Sequence, residues 1–237
     1  MTDEKAGAKV VLIRHAQSTW NAQTKFTGWA DPPLTELGIE EAQKAGSLLA
    51  KSQLSFDDVY TSVLQRAQQT AQIILETTGQ TELTPHSDWR LNERHYGQLQ
   101  GLNKKEIAQE VGEEQVFRWR RGYRDKPEAL SEDDSRHPRF DEKYNDVSPE
   151  RLPAAESLAD TQARAMQFWE DTAIPAIKQG KTLLISSHGN TLRGLIMALS
   201  NMDEKQVEKF EIPTGIPIIY HLHPDGSPDY WEYLEKV

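Results

Sequence analysis

The 237-residue chain sets 37 Asp and Glu against 27 Lys and Arg, a formal net charge of −10. That balance argues against a nucleic-acid partner, whose phosphate backbone needs a broad basic face, so any anion site must be local. Cysteine is absent, which removes disulfides, thiolate catalysis and zinc sites built on sulfur.

The length suits one α/β domain over residues 1–237. At its start, Met1 to Lys5 lacks the apolar centre of a secretory leader, and no apolar run approaches the ~20 residues needed to cross a bilayer. A cytoplasmic protein with no membrane partner is expected. Val10-Val11-Leu12-Ile13 suits a strand covered on both faces, and it breaks off into Arg14-His15. Ligands in such sheets collect beyond the carboxyl ends of strands, which is where His15 stands. A surface Arg–His pair is an equal reading of this dipeptide taken alone.

Asp31-Pro32-Pro33 marks a turn, and Thr35 is placed to cap a helix through Glu40, Ala42, Ala45, Leu48 and Leu49. Residues 58–62 read as a short strand. The helix after them, up to a stop at Gly79, puts Arg66 in a first helical turn just beyond a strand end. Residues 89–97 have no clean period and read as a polar-aromatic loop. Asn103 with Glu106 resembles a capping box opening a helix to Val111, and residues 115–121 form a second short helix crowded with arginine at its end.

Residues 122–155, rich in Pro, Asp, Ser and Arg, read as an irregular excursion within the domain. Residues 156–180 return to helix with Leu158, Ala165, Met166, Trp169 and Ile177 as core positions, kinked or divided by Pro175. Residues 182–187 repeat the buried-strand pattern and end in His188-Gly189-Asn190, with a helix behind them. Residues 217–222 and 230–233 are closing strands around a turn at Pro224-Asp225-Gly226. This alternation predicts a three-layer α/β/α sandwich around a mostly parallel sheet.

If the two histidine-ended strands are central and parallel, His15 and His188 meet at one sheet edge, and Arg66 arrives there too. A neutral imidazole can attack phosphorus, and arginine forks match phosphate oxygens. No nucleotide-cradling Gly-x-x-x-x-Gly-Lys loop and no Gly-x-Ser-x-Gly elbow is present. A metal site from His15, His188 and carboxylates lacks the usual ligand spacing, and the neighbouring arginines would repel a cation.

The motifs Arg14-His15-Ala16-Gln17-Ser18-Thr19-Trp20-Asn21, Phe26-Thr27-Gly28-Trp29, residues 61–67, Asn92-Glu93-Arg94-His95-Tyr96-Gly97, Trp119-Arg120-Arg121, residues 187–193 and residues 212–217 occur in order along nearly the whole chain. In this the chain resembles the histidine phosphatase superfamily and, within it, the 2,3-bisphosphoglycerate-dependent phosphoglycerate mutases. The Arg-His strand end points to the superfamily; the Asn-Glu-Arg-His-Tyr-Gly loop and the Trp-Arg-Arg segment point to the mutase branch.

The resemblance implies a mutase-like fold and a phosphohistidine isomerase of glycolysis and gluconeogenesis that interconverts 3- and 2-phosphoglycerate. By the same likeness, 2,3-bisphosphoglycerate is the primer and no metal is required. His15 would take the phosphoryl group while Arg14, Arg66 and His188 hold its oxygens, and Glu93 would shuttle the proton. Ser18, Asn21, Thr27, Gly28, Gly189 and Asn190 would line the phosphoryl pocket. Arg94, Tyr96, Lys104, Arg120 and Arg121 would grip the other phosphate and the carboxylate. A homodimer or homotetramer is implied.

Apart from the resemblance, Arg120 and Arg121 suit a solvated helix face, Trp119 a packing position, Thr27-Gly28 a turn, and Glu93 an ion pair with Arg94 or Arg90. His86, His95, His137, His221 and His223 read as structural or surface residues. Ser18 favours a mutase over the related bisphosphoglycerate mutases, which typically carry glycine there. The rival readings are a phosphomonoesterase or bisphosphoglycerate phosphatase on the same phosphohistidine, and a silent binding protein.

Two departures stand out. Where the family has Arg-His-Gly-Glu-Ser, this chain has Ala16 and Gln17, which adds a methyl beside the nucleophile and removes a carboxylate, favouring neutral His15. The chain also ends at Val237 without the family's Lys-, Ala- and Gly-containing tail, for which greater hydrolysis of the phosphoenzyme is expected.

Overall fold

The computed structural model describes residues 8–234, so Met1 to Lys5 and the chain end at Val237 lie outside the described residues. Strand β1 (Ala8–Arg14) leads to helices α1 (Thr19–Ala22) and α2 (Glu36–Lys51), then β2 (Asp58–Thr61), α3 (Gln65–Thr78) and the short β3 (His86–Ser87). Helices α4 (Lys104–Val111), α5 (Glu113–Arg121), α6 (Leu158–Phe168) and α7 (Ile174–Lys178) precede β4 (Leu183–Ser187). Helices α8 (Gly189–Leu199) and α9 (Glu204–Lys209) and strands β5 (Pro217–Leu222) and β6 (Pro228–Tyr233) follow.

Among the described residues the strands form one sheet in the order β3-β2-β4-β1-β5-β6. Pairing is parallel from β3 through β2 and β4 to β1, and antiparallel from β1 through β5 to β6. The two strands that end in histidine are therefore central, parallel neighbours in register, with Val10 beside Leu183 and Arg14 beside Ser187.

Val10, Val11, Leu12 and Ile13 are fully buried, and the two-residue period of the strand splits them between two faces. Val10 and Leu12 pack with Phe168, Trp169, Leu192 and Leu195; Val11 and Ile13 pack with Ala45, Leu49, Ile74 and Leu75. Each such side chain contributes roughly 1.5–3 kcal/mol on burial, against about 0.5–1.5 kcal/mol for a typical hydrogen bond. Packing on both faces, more than any polar contact, holds the strand that delivers His15.

Local chemistry sets the element ends. The Thr35 hydroxyl accepts from Gly38 N (3.0 Å) at the start of α2, and α3 stops at Gly79 in the left-handed region (φ 71°). Asn103 caps α4 by accepting from Lys105 N (2.9 Å), while its Nδ2 donates to Gln23 O (3.2 Å). That second bond turns the side chain toward the loop after α1, and the cap forms without the reciprocal bond expected from Glu106.

Residues 156–180 do not form one helix. After α6, capped reciprocally by Ser157 and Asp160, the chain widens into a π-turn (Trp169–Ala173) before α7. Pro175 has no N–H to give the preceding turn, and its ring crowds the carbonyl four residues back, so the backbone relaxes just ahead of it. Residues 122–155 are less irregular than their composition suggests: they contain 3₁₀ turns at Pro138–Phe140, Glu142–Tyr144 and Pro149–Arg151. The middle turn buries Tyr144 against Trp29, ring centroids 4.9 Å apart, and brings its hydroxyl to Asn92 Nδ2 (2.9 Å). Among the described residues no helix is long and apolar enough to cross a membrane.

Candidate active site

The parallel pairing of β1 and β4 puts the rings of His15 and His188 5.0 Å apart, and His15 N donates to Ser187 O at 2.8 Å. His15 Nδ1 lies 2.7 Å from Ala16 O, a carbonyl that can only accept, so Nδ1 carries the proton and Nε2 is left with a lone pair. Arg66 Nε lies 3.3 Å from that Nε2. Burial, and then the charges of Arg66 and Arg14, hold His15 well below the usual histidine range. Burial, Arg66 and His15 do the same to His188, whose Nε2 meets Ser62 Oγ at 2.7 Å. Both rings are neutral at physiological pH.

Arg66 enters this cluster from the first turn of α3 and is fully buried. Its Nη1 and Nη2 donate to Ala30 O and Gly28 O, each at 2.8 Å, which aims Nε at His15. Burial brings its pKa down to about 10, so it remains a cation. Arg14, at the end of β1, donates through Nη1 to Ile212 O (2.7 Å). A Cβ on Gly189 would stand 3.3 Å from Arg14 Nε, so the glycine permits the guanidinium to lie close against the start of α8. Arg14 Nε and Thr27 Oγ1 are buried polar atoms with no hydrogen-bond partner among the described residues.

Glu93 reaches the same place from the loop after β3. Its Oε1 accepts from Arg94 N (2.8 Å) and from Asn190 N (3.1 Å), the latter in the first turn of α8, where a carboxylate is favoured. The carboxylate thus binds backbone and not the guanidinium of Arg94 or Arg90; Arg90 pairs with Asp88 (2.7 Å) and Asp171 (3.1 Å). Arg94 lies beneath Tyr96, donating to its hydroxyl (3.1 Å) and to Arg120 O (2.8 Å). Burial pushes the Tyr96 hydroxyl up, but the charges of Arg94 and Lys104 and the hydrogen bond from Arg94 together outweigh it, and the net shift is downward.

A cavity of about 370 Å³ opens here. Arg14, His15, Asn21, Thr27, Gly28, Arg66, Glu93, Tyr96, Lys104, Arg120, Arg121, Gly189 and Asn190 line it, with Arg193, Glu211, Ile212 and Pro213. Its cations come from two places: Arg14 and Arg66, beside His15, and Lys104, Arg120 and Arg121, carried by α4 and α5. Burial first lowers Lys104 and Arg121, and the charges of Arg120 and Arg14 lower them further.

Three expected residues stand outside the lining. Ser18 is fully buried at the cap of α1, where its hydroxyl donates to Asn21 Oδ1 (2.9 Å) and fixes that side chain. Arg94 lies behind Tyr96, and His188 behind His15. The Ala16 methyl packs with Leu34 and Ala42, and Gln17 Oε1 accepts from Thr35 Oγ1 (2.9 Å). Glu41 Oε2 accepts from Gln17 N (2.8 Å), and its charge acts on Arg14 while being absent from the groups that shift His15. His95, His137, His86, His221 and His223 are absent from the cavity lining, as expected of structural or surface residues.

Sequence reasoning misses several contributors. Arg193 joins α8 to the end of α5, donating to Arg121 O (3.1 Å) and Arg120 O (3.4 Å), and so places both arginines. Arg164 donates to the carbonyls of Arg90 (2.8 Å), Asn92 (3.0 Å) and Glu93 (3.2 Å) and pairs with Glu156 (2.8 Å) inside the core. Glu211 has no local signature. Ser62 and Arg193 lie within the motifs at residues 61–67 and 187–193, and Arg193 stands three residues, about one helical turn, after Asn190.

Residues 10–136 and 126–228 match the family model described as histidine phosphatase superfamily (branch 1). Similar solved structures include an α-ribazole phosphatase from Shigella flexneri, at 25% identity and TM-score 0.67 over 93% of each chain. A mycobacterial glucosyl-3-phosphoglycerate phosphatase matches at 22% identity and TM-score 0.71, over 96% of this chain and 97% of that one. A phosphoglycerate mutase from Bacillus anthracis matches at 21% and 0.69, over 99% and 95%. The last two likenesses are ones of fold.

Proposed function

The chain belongs to the histidine phosphatase superfamily (branch 1), and from that premise we propose that it is a phosphoglycerate mutase interconverting 3- and 2-phosphoglycerate through a phosphohistidine at His15. The observation that carries this reading is the second cationic set, Lys104, Arg120 and Arg121, in the same cavity as Arg14 and Arg66. A simple phosphate monoester needs one such set; a phosphoglycerate, with phosphate and carboxylate, uses two.

In the mechanism, His15 Nε2 attacks phosphorus in line with the ester oxygen, forming the N–P bond as the O–P bond breaks. Arg14 and Arg66 face the developing charge on the equatorial oxygens. The unpartnered Arg14 Nε and Thr27 Oγ1 supply donors already desolvated before the ligand arrives. In the loaded enzyme the substrate hydroxyl attacks the phosphoryl on His15 and its proton passes to the Glu93 carboxylate; when His15 Nε2 then attacks the other phosphate, Glu93 returns that proton to the departing alkoxide, so charge and protons balance over the cycle. The cavity residues also fit the two phosphates of 2,3-bisphosphoglycerate, which when bound supplies the phosphoryl group that loads His15.

The phosphatases among the similar structures support a second reading, in which water accepts the phosphoryl group from His15. One incubation separates the two: 3-phosphoglycerate with and without 2,3-bisphosphoglycerate, following 2-phosphoglycerate and free phosphate together. The mutase gives 2-phosphoglycerate that depends on the bisphosphate. Free phosphate without 2-phosphoglycerate assigns the enzyme to hydrolysis.

A further inference from the structure

Besides Glu93, one wall residue has the wrong sign for an anion pocket. Glu211 lines the cavity, and its carboxylate is paired with the guanidinium of Arg121. The two partners are unequally free. The Arg121 side chain is 19% exposed and that of Glu211 72%.

Arg121 is held from several directions: Arg193 takes its carbonyl at 3.1 Å, and its own Nη1 donates to Phe210 O at 3.4 Å. The backbone around Glu211 is held too. Its carbonyl accepts from the Tyr233 hydroxyl (2.9 Å), and the next carbonyl, Ile212 O, accepts from Arg14 Nη1 (2.7 Å). Only the Glu211 side chain is free to swing into solvent without disturbing a packed element.

We infer that Glu211 is a specificity-determining latch: its carboxylate occupies Arg121 until a ligand that carries a second anionic group, besides the phosphoryl at His15, takes the guanidinium over. This rests on the phosphoglycerate reading above and extends it. A ligand with one anionic group leaves the pair intact and gains nothing from Arg121. A ligand with two exchanges one ion pair for another and releases Glu211. The latch lowers affinity for the doubly anionic ligand by the worth of the pair it breaks, and it keeps Arg121 from capturing anions that do not reach His15.

The test is calorimetric titration of the full chain with inorganic phosphate and with 2-phosphoglycolate, which has a phosphate and a carboxylate but no hydroxyl to react. The variants are Glu211→Gln, Arg121→Met and the double variant. Glu211→Gln is expected to raise the preference for 2-phosphoglycolate over phosphate about three- to fivefold, the range that a partly exposed ion pair can offset. The rise should vanish when Arg121 is already Met.

An equal gain for both probes would mean that Glu211 acts only through the general field and would overturn the latch, as would a gain that persists without Arg121. If the unaltered chain binds 2-phosphoglycolate no more tightly than phosphate, the phosphoglycerate reading fails. The latch is still judged separately, by whether Glu211→Gln changes the ratio.

Discussion

Arg66 Nε sits 3.3 Å from His15 Nε2, so the nitrogen proposed as the nucleophile faces a fixed positive charge before any phosphate arrives. Burial disfavours imidazolium there, and the cation disfavours it further. His15 is lowered from its ordinary value near 6.5, so its neutral, attacking form persists as pH falls through that region. The rate of His15 phosphorylation should stay level from pH 8 to below 6.5. Arg66→Gln should move the acidic limb of the pH–rate profile upward as well as slow the reaction. An acidic limb that stays where it was would show that Arg66 does not set the charge of His15.

Glu93 gives the second prediction. Glu93→Gln keeps the bonds from Arg94 N and Asn190 N but cannot carry a proton. Transfer between His15 and a poorly leaving sugar-acid hydroxyl should fall about 10²- to 10⁴-fold. Loading of His15 from a phosphoryl donor with a good leaving group, which needs no protonation, should fall far less. Equal losses with both donors would remove Glu93 from the proton path.

Arg164 and Glu156 support the loop that presents Glu93, and both are almost fully buried. Arg164→Met strands the Glu156 carboxylate and frees the carbonyls of Asn92 and Glu93. Denaturant unfolding should show a loss of about 3–5 kcal/mol, the usual cost of removing one member of a buried pair. Replacing both by apolar residues should recover much of that stability but little activity, because the loop would still lack its carbonyl clamp.

His95 sets an acid limit on stability. Burial above all lowers its pKa to about 3, against an ordinary value of 6.5. Below pH 6.5 the unfolded chain binds a proton that the folded chain refuses, so stability falls as pH drops from there toward 3 and levels off below it. At 1.36 kcal/mol per unit, this one site contributes at most about 4–5 kcal/mol of that loss. His95→Gln should flatten that part of the stability–pH curve, measured by urea unfolding between pH 7 and 4.

How much of this was legible in the sequence differs residue by residue. His15, His188 and Arg66 could be placed because each stands where an apolar strand pattern ends, and parallel strands bring such ends together. The ligation of Glu93 could not, because its partner Asn190 N lies 97 residues away and is defined by the start of a helix. The same holds for Glu211, which faces Arg121 only once α5 and the segment before β5 are packed side by side. The π-turn before Pro175 was half visible: proline announces a disturbance, but whether the helix bends, breaks or widens depends on Phe168 and Trp169 being held in the core.

The neighbouring strands β1 and β4 send their following helices to opposite sides of the sheet. Helix α2 packs with Val11 and Ile13, and α8 with Val10 and Leu12. Chains that diverge in this way leave a crevice between two strand ends that no loop has to create. The His15 end of the cavity is thus a product of how the sheet is wound, while its far end is assembled from α4, α5 and the segment before β5. Exchanging those outer segments should change which molecule is accepted while His15, Arg66 and His188 stay where they are. In this architecture, the parts proposed for substrate choice and for phosphorus chemistry are carried by separate elements.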